Sequence, residues 1–155
     1  DLAYTLEKQL FDMGASVVLL DGSTVRSGLS RELDYSPADR AEHLRRVAHI
    51  ARILNDQGII AICSFISPNE NIRKQVSEII GPERFVLVYM DEDMAYCRTN
   101  KPELYEEAEK GRISNIPGVD IEYEAPGKPD YILSHSNIGD EIPDIIKAIH
   151  PDLSH

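Results

Sequence analysis

Cysteine is scarce in this chain: Cys63 and Cys97 are the only two among 155 residues. Cys63 lies in an apolar run and Cys97 follows a helix-like segment, so both read as core thiols of a reducing compartment. No metal-site spacing of cysteine, histidine or carboxylate is present. Long hydrophobic runs are also missing. Nothing approaches the length needed to cross a bilayer and no signal peptide is visible, so the expected location is the cytoplasm, with no membrane partner. Positive charge is in deficit, with 16 Lys and Arg against 27 Asp and Glu, a net of −11. That balance argues against a nucleic-acid partner. Repeats and low-complexity tracts are absent. What remains is a length suited to one domain, with 42% hydrophobic residues to build an ordinary core.

The charge is unevenly spread. Residues 23–52 hold six arginines (Arg26, Arg31, Arg40, Arg45, Arg46, Arg52) against four acids, a net of +2 that leaves −13 elsewhere. An arginine cluster in an acidic chain suits a small phosphate or sulfate ligand. Ordinary ion pairs on a solvated helix would give the same composition.

Three apolar runs, Ser16–Asp21, Ile59–Phe65 and Phe85–Asp91, read as buried parallel strands, with Tyr131–Leu133 a short fourth. Helical patterns lie between them. Leu2–Asp12 places Leu2, Leu6, Leu10 and Phe11 on one face. Residues 37–57 have Ser36 as N-cap, Pro37 in the first turn and a capping-box-like Asp39. Asn69–Ile80, Leu104–Lys110 and Asp140–Ile149 follow, the last admitting Pro143 only near its start. Residues 111–130, rich in Gly, Pro and acids, read as an ordered loop over one face. Alternating strands and helices imply a parallel α/β sheet flanked by helices. Ligands of such sheets bind beyond the carboxyl ends of the strands, where Asp21, Ser64, Ser67 and Asp91 stand.

The most informative stretch is Asp21-Gly22-Ser23-Thr24-Val25-Arg26-Ser27-Gly28-Leu29-Ser30-Arg31-Glu32-Leu33-Asp34-Tyr35-Ser36-Pro37-Ala38-Asp39-Arg40. It delivers a strand end, an acid, arginines, an aromatic and a helix start to one place. It resembles the substrate segment of adenylylsulfate (APS) kinases, L-D-G-D-N-[VIL]-R-x-G-L-N-x-D-L-G-F-S-x-x-D-R, in register and without a gap. Further matches run in order from Leu2 to about Leu133. Asp39-Arg40-Ala41-Glu42-His43-Leu44-Arg45-Arg46 is like D-R-x-E-N-[IL]-R-R, and Ser64-Phe65-Ile66-Ser67-Pro68 is like the family's F-I-S-P segment. Leu104-Tyr105 with Glu107-Ala108 resembles the lid. Asn115-Ile116-Pro117-Gly118-Val119-Asp120, followed by Tyr123-Glu124-Ala125-Pro126, resembles N-F-T-G-[IV]-D-x-P-Y-E-x-P.

The resemblance implies a P-loop NTPase-like fold and transfer of the γ-phosphoryl group of MgATP to the 3′-hydroxyl of APS, giving PAPS and ADP in sulfate activation. Yet G-x-x-x-x-G-K-[ST] occurs nowhere in the 155 residues. Asp1-Leu2-Ala3-Tyr4-Thr5-Leu6-Glu7 is similar to the tail of the helix that this loop opens. The first strand and phosphate loop are therefore expected outside these residues, in a domain spanning 1–155 that is N-terminally incomplete or part of a larger, bifunctional chain. By resemblance, Asp21 accepts the hydroxyl proton or holds Mg2+ through water, Arg26 and Arg40 bind the phosphosulfate, and Tyr35 stacks on the APS adenine opposite Ile116. Backbone groups of Phe65 and Ile66 contact adenine or ribose, Lys101 is the lid cation, and Ser67 is either a phosphoserine site or a helix cap. Strand-end capping for Asp21 and a helix staple for Tyr35 stay open as structural roles.

The chain departs from the pattern at Ser23 (family Asp), His43 (family Asn, sharing a face with Arg40 and able to donate a hydrogen bond) and Ile116 (family Phe). Lys101-Pro102-Glu103 also falls one residue short before Leu104. The alternative reading is a catalytically lapsed APS- or PAPS-binding regulatory domain fused to ATP sulfurylase. The expected partners are APS and ATP, with a homodimer or an association with ATP sulfurylase.

Overall fold

The computed structural model describes residues 2–150. Asp1, which the family pattern sets beside the phosphate-loop hydroxyls, lies outside them. α1 (Leu2–Asp12) leads into β1 (Val17–Asp21) and α2 (Gly22–Ser27), and α3 (Pro37–Asp56) leads into β2 (Ile60–Ser64). α4 (Glu70–Ile80) and a 3-10 turn (Pro82–Arg84) precede β3 (Val88–Met90). α5 (Met94–Asn100), α6 (Pro102–Glu109), β4 (Tyr131–Leu133) and α7 (Ile138–Ile149) complete the order.

Both strand pairs are parallel. β1 runs beside β2 from Val17↔Ile60 to Asp21↔Ser64, so the acid and the serine finish at one edge. β3 runs beside β4 from Val88↔Tyr131 to Met90↔Leu133, extended by the Asp91 N–H to Leu133 O at 2.7 Å. Between the pairs lies a cleft of about 920 Å³, bounded by residues 60–64 on one side and 86–90 on the other. Parallel pairing needs long crossovers, which α3 supplies for the first pair.

α1 and α7 bury Leu6, Leu10, Ile142, Ile145 and Ile146 around Leu133. Each such side chain removed from water contributes about 1.5–3 kcal/mol. That burial explains why α7 starts earlier than the sequence suggests and draws Pro143 into its second turn. The missing bond to Gly139 and the ring's crowding cost about 3 kcal/mol, less than the three isoleucines of the same helix return. Phe11, placed by its spacing on the apolar face of α1, is instead 70% exposed. β3 is shorter than expected, because Pro82 opens a 3-10 turn and residues 85–87 form no strand, although Leu87 N–H reaches Asp130 Oδ2 at 2.7 Å. α2 and α5 were not expected, and each begins at an aspartate cap, Asp21 and Asp93.

The loop at 111–130 is held from two sides. Asp120 accepts the N–H groups of Asn115 and Ile116, both at 2.6 Å, and Gly118 turns the chain at φ 83°. Glu124 N–H donates to Pro68 O at 2.8 Å, and the Glu124 carboxylate takes Asn69 Nδ2 and Glu70 N–H. Arg73, 5% exposed, ties this corner together: it donates to Ser67 O and Glu124 O, and to Glu70 Oε2 at 2.7 Å. Arg73→Ala strips donors from two half-buried carbonyls. It is expected to cost about 2–4 kcal/mol in urea unfolding. A loss under about 0.5 kcal/mol would show that water replaces the guanidinium.

Candidate functional site

The site is assembled at the carboxyl edge of β1 and β2. Asp21 ends β1 and caps α2. Its Oδ1 accepts Thr24 N–H at 2.9 Å and the Ser23 hydroxyl at 2.7 Å, and its Oδ2 accepts the Thr24 hydroxyl at 2.8 Å. These bonds, the Thr24 backbone N–H first, hold the carboxyl down at about 2. Asp21 is thus both a cap and an ionised acceptor at neutral pH. Ser23 serves the acid's geometry and brings no second charge.

α2 carries Arg26 toward Tyr35. Arg26 Nη1 donates to Asp34 O at 3.1 Å, and its guanidinium lies 4.1 Å from the centre of the Tyr35 ring. α3 brings Arg40 to the other side, 5.4 Å from the same ring, with Nη2 donating to Asn115 O at 2.6 Å. That bond draws the 115–121 loop, and with it Ile116, to the site. Ser36 starts α3 as expected, but Asp39 does not close a capping box: its carboxylate takes Asp34 N–H at 2.9 Å and fixes the Tyr35 approach instead. Tyr35 is 53% exposed, which excludes a buried staple.

Two of the six arginines are ion-paired, Arg45 with Glu42 at 2.8 Å and Arg46 with Glu32 at 2.6 Å and Glu42 at 3.0 Å. Arg31 is exposed, and Arg52 donates to Ile79 O at 3.1 Å. Arg26 and Arg40 meet only backbone carbonyls and the ring, and among the described residues neither forms a salt bridge. No ion pair neutralises either charge, although Asp120 acts on Arg40 and Asp34 lies within reach of the Arg26 charge. Burial, and then Arg26, lowers the Arg40 pKa from its ordinary value, and the Arg40 Nε has no partner.

His43 lies one turn beyond Arg40, 3% exposed, edge-on to Phe65 with ring centroids 5.2 Å apart. Both ring nitrogens are buried without a partner. Burial, followed by Arg26, Arg40 and Arg46, pushes its imidazole down to about 4, so it is neutral at physiological pH. Phe65 follows β2 and packs 3.8 Å from where a side chain at Gly22 would begin, while Ile66 beside it is 56% exposed.

Two expected members are placed otherwise. Ser67 does not cap α4; Asn69 does, accepting Ile72 N–H at 3.1 Å, while Ser67 gives its carbonyl to Arg73. Lys101 stands exposed at the junction of α5 and α6, followed by a helix carrying Glu103, Glu106, Glu107 and Glu109. Sequence reasoning missed a second cluster at the edge of β3 and β4. There Glu92 accepts the His135 N–H and meets His135 Nδ1 at 2.8 Å, and Tyr96 stacks on His135 at 4.1 Å. The signal was available, since Glu92 and His135 each lie two residues beyond a strand end. Among the described residues no group of three or more side chains forms a metal cluster, and no helix is long and apolar enough to cross a membrane.

The family profile of adenylylsulphate kinase matches residues 1–134. The chain belongs to that family. An adenylyl-sulfate kinase of Yersinia pestis is 38% identical over 152 residues, 95% of this chain and 71% of that protein. The bifunctional enzyme CysN/CysC of Rhodopirellula baltica is 40% identical over 136 residues, and the match covers 87% of this chain but 21% of that protein. Among solved structures, the Mycobacterium tuberculosis APS kinase CysC in complex with AMPPNP and APS superposes with a TM-score of 0.88 at 32% identity, covering 96% of this chain and 88% of that one. The fold of these kinases is therefore the fold here, and the family is one of ATP-using kinases that phosphorylate adenylylsulfate in sulfate assimilation.

Proposed function

We propose that this chain performs its family's reaction, with APS held by Arg26, Arg40 and Tyr35 and its 3′-hydroxyl presented to Asp21. The observation that carries the reading is a pair of guanidinium groups outside any ion pair flanking an exposed aromatic ring, beside an ionised acid at the edge of β1. The phosphosulfate offers two oxyanions to the two forks. In the step, the 3′-oxygen bonds to the γ-phosphorus, the bridge to the β-phosphate breaks, ADP leaves and the hydroxyl proton departs. Such transfers ask for alignment and charge neutralisation more than for a strong base. A carboxylate at about 2 fits the orienting role: it accepts the hydrogen bond throughout, and takes the proton only as transfer completes.

Mg2+ fits Asp21 through a coordinated water, because three protein donors already occupy most of the carboxylate. The ion would neutralise charge on the transferred phosphoryl group. The open cleft between β2 and β3 supports a further strand there, leading into the phosphate loop that these 155 residues do not contain. Because the sulfurylase product is the kinase substrate, a working association with ATP sulfurylase, by fusion or as a complex, belongs to the same proposal; a homodimer is the other expected assembly. The acidic α6 beside Lys101 favours one second reading, a domain that binds APS or PAPS without transferring phosphate.

The half-aromatic clamp tests the placement of adenine. Ile116→Phe should tighten APS binding by at most about 1–2 kcal/mol, and Tyr35→Ala should loosen it at least as much. Titration of both variants with APS settles this. If neither moves the affinity, the adenine sits elsewhere.

A further inference from the structure

Among the described residues, His43 is the one buried titratable group of the pocket that no protein partner satisfies. Both ring nitrogens are orphaned inside a cluster of positive charge. Leaving two polar atoms unpaired costs stability unless a bound state uses them. The groups around it come from three elements. Arg26 reaches it from α2, and Arg40 and Arg46 from its own helix, while Phe65 after β2 brings an uncharged edge. Arg46 is already neutralised by Glu32 and Glu42, and Asp120 from the 115–121 loop acts on Arg40. The charge facing His43 that no ion pair neutralises is therefore that of Arg26 and Arg40.

We propose that His43 couples APS binding to proton uptake: a phosphosulfate that neutralises Arg26 and Arg40 allows the orphaned imidazole to become imidazolium and to add a third cation to the ligand's cradle. The inference rests on the placement of the phosphosulfate given above. His43 acts here as a positioning residue for the anion, tuning affinity rather than touching the reacting atoms.

The sign follows from linkage. A ligand that raises the histidine pKa binds more tightly as pH falls. The gain is complete below the pKa of the free protein, about 4, and disappears as pH rises through the pKa of the complex. The phosphosulfate anhydride stays fully ionised and the adenine ring protonates only well below pH 6, so between pH 6 and pH 8 the ligand contributes no titration of its own.

The test is calorimetric titration of the protein with APS at pH 6 and pH 8, in buffers of low and high ionisation enthalpy. Wild type is expected to take up a measurable fraction of a proton at pH 6 and little at pH 8. Its affinity should rise toward acid, by at most tenfold per pH unit. His43→Asn, which keeps a polar side chain of the family type, should bind APS with no proton uptake and a flat pH profile. The imidazole 15N shifts of His43 should move to the protonated pattern when APS is added at pH 6. Tight binding with no buffer dependence and an unmoved 15N signal would overturn the coupling while leaving the site intact. APS binding that survives Arg26→Ala unchanged would instead overturn the placement on which the coupling rests.

Discussion

Asp21→Asn is expected to slow PAPS formation by about two to four orders of magnitude while the melting temperature stays near that of wild type. The structure makes the two effects separable. Asparagine is as good an N-cap as aspartate, so Thr24 N–H keeps its acceptor and α2 keeps its start. What disappears is the negative charge, which the Thr24 and Ser23 donors hold ionised down to about pH 2. The pH profile follows from the same bonds. A depressed carboxyl is ionised above its folded pKa, so Asp21 should put no acid limb on the rate above about pH 3. A limb near pH 4–5 would identify a different essential carboxylate. An Asp21→Asn protein that unfolds early but turns over normally per folded molecule would show that capping is the residue's whole role.

Arg26→Ala is expected to weaken APS binding by about a hundredfold, on the scale of a lost charge-assisted fork, and to leave ATP binding nearly unchanged. Arg26 is the cleaner probe of the pair. Arg40 also holds the loop through Asn115 O, so its removal mixes anchoring with charge. Arg26 holds only the carbonyls of Leu33 and Asp34, the latter bond being solvent-exposed, and gives one face to Tyr35. Arg26→Lys should fall between, since lysine restores charge without a planar fork. Calorimetry of APS and of a non-hydrolysable ATP analogue against each variant checks both halves. Wild-type APS affinity in Arg26→Ala would refute the assignment.

Much of this site is legible along the chain because it is local. Asp21, Arg26, Tyr35 and Arg40 fall within one strand–helix–turn–helix segment, and short-range caps at Asp21 and Ser36 set their directions. What was not legible is long-range. Nothing in the spacing of Asn115 says that its carbonyl receives Arg40, 75 residues away in sequence. The role of Arg73 was hidden for the same reason, since its partners Ser67 and Glu124 lie on separate loops. Helix starts at Gly22 and Met94 were missed because a single aspartate cap outweighed glycine and a short run, a competition that periodicity does not register. Phe11 shows the converse error: it follows Leu10 directly, and adjacent residues on a helix point about 100° apart, so the ring faces solvent. His43 carried a readable clue, its place one turn after Arg40, but its burial and unpaired nitrogens became visible only in the fold.

The central claim is that phosphate moves from ATP to the 3′-hydroxyl of an APS molecule held by Arg26, Arg40 and Tyr35. The most direct measurement is 31P NMR of the natural polypeptide incubated with APS, ATP and Mg2+. The expected result is a 3′-phosphomonoester resonance that grows in step with ADP, one for one, and that is lost in Asp21→Asn. Saturable APS binding with ATP left intact and no 3′-phosphate would contradict the kinase assignment and leave a domain that binds its ligand without transferring phosphate.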